Sequence, residues 1–112
     1  MEKITWQQFE AIEMRIGTII EITDFPKAKK PAYQLTIDFG AEIGIKKSSA
    51  QITDKYLKEN LLGKQIIAVI NFPPKQIANF MSECLVLGAV DANHQVTLLQ
   101  PESAVINGLR IL

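Results

Sequence analysis

The stretch YQLTIDF, residues 33 to 39, alternates apolar and polar residues without a break. Only an extended strand turns successive side chains to opposite faces, so Tyr33, Leu35, Ile37 and Phe39 share a buried face. Gln34, Thr36 and Asp38 then face water. One such strand is not stable alone and commits the chain to a sheet of at least three. Upstream, MRIGTIIEITD repeats the period and predicts a strand with Met14, Ile16, Thr18, Ile20 and Ile22 on one face. Downstream, Gly40 begins a turn and EIGIKKSS pairs back as a third strand. QIIAVI is apolar on both faces, which predicts a fourth strand covered on both sides. CLVLGAV is a fifth, DANHQ turns into VTLL, and PESAVINGLRIL closes the chain with an Asn107-Gly108 turn.

Helical signals are few. Thr5 stands three residues before Gln8, a capping-box spacing, and Trp6, Phe9 and Ile12 follow at helical intervals. TDKYLKENLLG predicts a short helix, with Thr53 or Asp54 near its cap and Gly63 as its stop. The order is three antiparallel strands, a short helix, then two more strands. That order predicts an all-β fold, a five-stranded barrel of the OB type with the helix between strands three and four. An N-terminal helix and a C-terminal extension complete it. Closure removes sheet edges that would invite aggregation; a half-open sandwich fits the same periodicity. Residues 1–112 read as one domain, with 1–13 a helical extension, 14–91 the barrel and 92–112 a C-terminal extension.

The chain is 47% hydrophobic and 21% charged, a globular rather than a disordered balance. No apolar stretch approaches the ~20 residues needed to span a bilayer, so no membrane insertion is expected. MEKITWQQFEAIEMR carries acids and no apolar signal core. One cysteine, Cys84, makes no internal disulfide. These features predict a cytoplasmic protein. His94 sits in a polar turn, Cys84 opens an apolar strand, and Gly40, Gly44 and Gly63 form no phosphate loop. No metal, cofactor or nucleophile constellation is visible, and an enzyme is not expected.

The net charge is zero, but its distribution is uneven. Residues 25 to 75 carry nine lysines against Asp38, Glu42, Asp54 and Glu59, while both flanking segments are acidic. In an OB barrel the ligand lies across strands two and three, between the loop joining strands one and two and the loop joining four and five. Here those loops are FPKAKKPA and NFPPKQIANFMSE, both lysine-bearing and stiffened by proline. Strand three ends in Lys46-Lys47-Ser48-Ser49. The three elements would converge on one rim.

FGAEIGIKKSSAQIT, VINFPPKQIANFMSECLVLG and LLQPESAVING resemble the CsaA family, small proteins built on the tRNA-binding domain of the OB class. The likeness covers essentially the whole chain. It implies a homodimer with contacts from the terminal extensions, chaperone-like activity linked to export, and a fold whose relatives bind tRNA without strong sequence preference. Asn71, Pro74, Lys75 and Ser82 fall where the tRNA-binding pattern has its Asn, Pro, basic residue and Ser. The chain departs from that pattern at Asn79, which replaces a glycine, and at Cys84-Leu85, which replaces Gly-Met. Gln76 stands where the CsaA branch often has a second basic residue.

Two partners follow as expectations. For unfolded or presecretory polypeptide, Phe72, Pro74, Ile77, Phe80 and Met81 would form an apolar pocket, with Met adapting to varied side chains. Capping of the barrel end, or base stacking by the phenylalanines, are the other uses open to them. For tRNA, read by shape and backbone charge, Lys27, Lys29, Lys30, Lys46, Lys47 and Lys75 would neutralise phosphates. Ser48, Ser49, Gln51, Asn71 and Ser82 would add hydrogen bonds to phosphate, ribose or bases, while Ser49, Asn71 and Ser82 could equally satisfy backbone groups at strand ends. A solvated lysine surface is the competing reading. Trp6, Phe9 and Ile12, with Leu109 and Ile111, would form the twofold interface.

Overall fold

The computed structural model describes all residues from Met1 to Leu112. In chain order its elements are α1 (Trp6–Glu10), β1 (Met14–Asp24), β2 (Tyr33–Asp38), β3 (Ile45–Ala50), α2 (Lys58–Leu61), β4 (Gln65–Val69), β5 (Lys75–Ile77), β6 (Phe80–Ser82), β7 (Leu85–Val86), β8 (Gly88–Val90) and β9 (Val96–Leu98). Five of them form one antiparallel sheet in the order β3-β2-β1-β4-β7. Lys47 draws its two ends together. Its carbonyl accepts from the Glu83 N–H at 2.7 Å, and its own N–H donates to the Glu83 carboxylate at 2.9 Å. The result is a nearly closed five-stranded barrel with α2 between β3 and β4, the OB arrangement that the strand order implies.

Burial alternates residue by residue along β2, as its pattern requires. Ile19, Leu35, Ile37, Phe39 and Ile66 fill the interior, and α2 contributes its one buried residue, Leu61. Enclosing a leucine in this way is worth about 2 kcal/mol. β4 is buried on both faces, with Ile66 and Ala68 in the core and Val69 covered on the other side.

Four local expectations need correction. The predicted face of β1 does not survive its length, because a bulge falls between Ile19 and Glu21. Ile19 is fully buried while Ile20 is 44% exposed. One extra residue in a strand exchanges its faces beyond that point, which periodicity alone does not reveal. The helix expected from residue 53 shrinks to one turn at Lys58–Leu61, with Leu57 rather than Thr53 or Asp54 before it. The fifth strand splits into β7, which pairs with β4, and β8, which pairs with β9. The long loop before it is an antiparallel hairpin, β5 with β6.

At the termini, the Thr5 hydroxyl accepts from the Gln8 N–H at 3.1 Å and the Gln8 side chain accepts from the Thr5 N–H at 2.8 Å, a complete capping box. The C-terminal segment runs along β1: Gly108 N–H donates to Ile16 O, Ile16 N–H to Leu109 O, and Ile111 N–H to Met14 O. Gly108 has φ +94, and a Cβ there would lie 2.6 Å from the Phe39 carbonyl oxygen. Only glycine fits this turn. No helix is long and apolar enough to cross a membrane.

Candidate binding trough on the outer face of the barrel

Cross-strand pairing decides which residues look outward. Thr36 pairs with Lys47 and Gln34 with Ser49, and the Thr23 hydroxyl donates to Gln34 Oε1 at 3.1 Å. Lys47 and Ser49, with Gln51 two residues further, therefore share the outer face with Gln34 and Thr36. Lys46 and Ser48 take the opposite parity. Ser48 is fully buried, its hydroxyl donating to the Ser49 carbonyl at 3.0 Å. Lys46 is half-buried on the side of Cys84. The adjacent lysines thus point to different faces rather than acting as a doublet.

The β5–β6 hairpin forms one wall beside this face. Its last pair is Ile77 with Phe80, joined by Ala78 and Asn79, and Ala78 takes a positive φ of 51. Asn71 fastens its base. The side-chain oxygen of Asn71 accepts from the Glu13 N–H at 3.1 Å, and its amide nitrogen donates to the Ala11 carbonyl at 2.7 Å. Ser82 joins the far strand to β3, its hydroxyl accepting from the Ser49 N–H at 3.1 Å. Both side chains therefore meet backbone groups of their own chain.

The second wall is the loop between β1 and β2. Phe25, Ala32 and Phe80 make a small buried cluster of their own, with Ala28 and Ile77 packed against it. The Phe25 and Phe80 rings lie 5.4 Å apart between centroids, tilted by 59°. Phe80 consequently holds loop and hairpin together and is 8% exposed.

Two grooves open between these parts. One, of about 380 Å³, is lined by Lys27, Lys29, Lys30, Ser49, Gln51 and Ile77, over Ala28, Ala32 and Ala78. The other, of about 300 Å³, is lined by Phe72, Pro73, Ile77, Cys84 and Leu85, with Ser49, Lys75, Ser82 and Glu83 at its edges. Ser49 and Ile77 belong to both, so the grooves adjoin at these two residues. The chain's ion pairs are Arg15–Glu13, Lys58–Asp24 and Arg110–Glu13, which leaves the groove lysines without acidic partners. Burial pushes the Cys84 thiol up to about 12, against the nearby Lys46 charge, so the groove floor is a neutral thiol at ordinary pH.

The remaining predicted residues lie apart. Lys47 is exposed on the outer face but lines neither groove, and Pro74 is exposed where its neighbour Pro73 does the lining. Met81 is exposed and pairs with Gln76, on the hairpin face away from Ile77 and Phe80. Trp6 and Phe9 border a cleft of about 410 Å³ with Ile4 and Leu112. Ile12 and Leu109 are exposed, and Ile111 is half-buried. Nothing in the local pattern singles out Pro73, Glu83 and Leu85, because a hairpin inside an apparent loop brings them to the groove; the parity of β2 by itself turns Gln34 and Thr36 outward.

A barrel of this topology, with one basic and one apolar groove beside β3, defines a binding module of the OB class. Comparison with known proteins gives it a family. The model described as "Putative tRNA binding domain" matches residues 14–110. The structure of chaperone CsaA from Bacillus anthracis superposes with a TM-score of 0.94 at 48% identity, covering 99% of this chain and 100% of that one. The CsaA chaperone protein of Picrophilus torridus gives 0.92 at 54% identity, covering 98% and 100%. The methionine–tRNA ligase of Thermococcus kodakarensis is 32% identical over 99% of this chain, which spans only 14% of that enzyme's length. The chain belongs to the tRNA-binding-domain family, in its CsaA branch.

Proposed function

We propose that this chain is a chaperone-like protein that holds unfolded or presecretory polypeptide in the apolar groove. One observation carries the reading: Phe72, 55% exposed, stands beside Pro73, Ile77 and Leu85 around a groove of about 300 Å³. An exposed apolar concavity with a polar rim is the usual mark of a binding surface. The likeness to CsaA chaperones adds to it. Phe72→Ala should lower affinity for a labelled, permanently unfolded polypeptide by about tenfold, the scale of an anchor residue. Unchanged affinity would discard the groove. The working compartment is the cytoplasm, where chains await export.

The functional unit is a homodimer. Trp6, 79% exposed on a helix that buries nothing, and the neighbouring Phe9 form an apolar face that a second copy would cover. Trp6→Ser should halve the mass seen by sedimentation equilibrium; a monomeric wild type would refute the interface.

A second reading is favoured by one separate observation. Lys27, Lys29 and Lys30 surround a groove with no acid in its lining. Such a site suits a tRNA backbone read by charge and shape, in keeping with the family. Replacing Lys29 and Lys30 with Ala should weaken tRNA binding and reduce its salt slope by about one for each phosphate no longer neutralised. An identical slope would remove these lysines from the interface.

A further inference from the structure

We propose that the two grooves act as one trough, so that tRNA seated on the loop lysines and a polypeptide seated on Phe72 exclude one another. The inference deepens the polypeptide-binding reading and rests on it and on the tRNA reading. Three observations carry it.

The grooves adjoin, because Ser49 and Ile77 line both. An occupant that fills either groove reaches this shared boundary. The walls are also held in common. Phe25 and Ala32 from the lysine loop and Phe80 from the hairpin form a single cluster, with Ile77 packed on it. A ligand that shifts the lysine loop therefore works on the same cluster that positions Ile77 in the apolar groove.

Scale gives the third argument. Even a single small nucleic-acid-binding module covers roughly 600–1,000 Å² of its surface. The whole chain exposes 7652 Å², and each hairpin strand is three residues long, about 10 Å. A contact patch of that size centred on Lys27, Lys29 and Lys30 extends over the junction and the hairpin. RNA would then govern when the protein is free to hold a polypeptide.

The test is a competition titration on the intact protein. A fluorescent, permanently unfolded polypeptide is bound first alone, then with rising amounts of total tRNA. Exclusion requires the apparent Kd for polypeptide to rise in proportion to tRNA, by about 11-fold at ten times the tRNA Kd. It also requires that no species containing both ligands forms. Polypeptide bound with unchanged affinity in a ternary complex overturns the inference alone. A tRNA pool that fails to bind overturns the inference together with the tRNA reading and leaves the polypeptide reading standing. A polypeptide that fails to bind without any RNA overturns the functional reading and the inference together.

Variants add a second readout. Ser49→Trp, which fills the junction from a side chain that makes no hydrogen bond of its own, should weaken both ligands to a similar degree. Phe72→Ala should act mainly on polypeptide, and the Lys29→Ala, Lys30→Ala pair mainly on tRNA. A Ser49→Trp protein that is folded by circular dichroism and binds both ligands normally contradicts a shared junction. The wild-type competition stands whether or not that variant folds.

Discussion

Ser82 uses its hydroxyl to accept the Ser49 N–H, a backbone donor at the free edge of β3. Removing that acceptor leaves a partly buried N–H unsatisfied, which costs about 1–3 kcal/mol. Ser82→Ala should therefore lower the denaturation midpoint, and urea unfolding measures it directly; an unchanged midpoint would mean that water replaces the hydroxyl. Cys84 gives a prediction at high pH. Its thiol is held up to about 12 by burial, while the unfolded chain ionises near the ordinary thiol value of 9.0. Above that value the unfolded state binds fewer protons than the folded one, so stability must fall with rising pH. The slope approaches at most ~1.4 kcal/mol per pH unit. Cys84→Ala should flatten this alkaline limb, and at pH 8 the native thiol should react with a thiol reagent far more slowly than that of the unfolded chain.

The C-terminal segment shows how an element is held by single side chains. Gln65 on β4 donates through its amide to the Val105 carbonyl at 2.7 Å and to the Asn107 side chain at 3.0 Å, and accepts from the Val105 N–H at 3.0 Å. Gln65→Ala should free this segment, and hydrogen exchange should quicken at Gly108 and Ile111 while β2 keeps its protection. The segment is also tied by charge. Glu13 meets Arg15 at 2.8 Å and Arg110 at 3.1 Å. The hydrogen bond from Arg15, with the charges of Arg110 and Arg15, holds the Glu13 carboxyl below its ordinary 4.5. A lowered carboxylate stabilises the fold above the unfolded value and loses that contribution as pH falls through the folded one. Acid should loosen the C-terminal segment first, and Glu13→Gln should remove that acid dependence.

For the whole molecule, the hairpin turn and the barrel core make opposite demands on small residues. Ala78 occupies a positive φ of 51, a conformation that costs an L-residue about 1–2 kcal/mol. Ala78→Gly should relieve part of this and raise the melting temperature without loss of fold. Gly17 faces the packed interior, where a Cβ would meet Ile37 at 2.6 Å and the Phe39 ring at 2.8 Å. Gly17→Ala should destabilise the entire barrel by about 1–3 kcal/mol through overpacking. A thermal melt of the two variants separates local strain from global packing.

Much of this protein is written in short-range pattern. The parity of YQLTIDF, the Thr5–Gln8 capping box, the two-sided apolar run in β4 and the strand order each follow from neighbours a few residues apart. The approximate place of the loops that border the grooves follows from that order. Other features depend on residues distant in sequence. The bulge at Ile20 exchanges the faces of β1, because register is chosen by the partner strand and not by the strand's own period. Phe80 resembles an exposed loop residue until Phe25, 55 positions earlier, supplies the ring it packs against. Lys46 and Lys47 resemble a doublet until pairing sends them to opposite faces. Period and caps are properties of the chain alone; burial is a property of the pair, and only the closed barrel brings the pairs together.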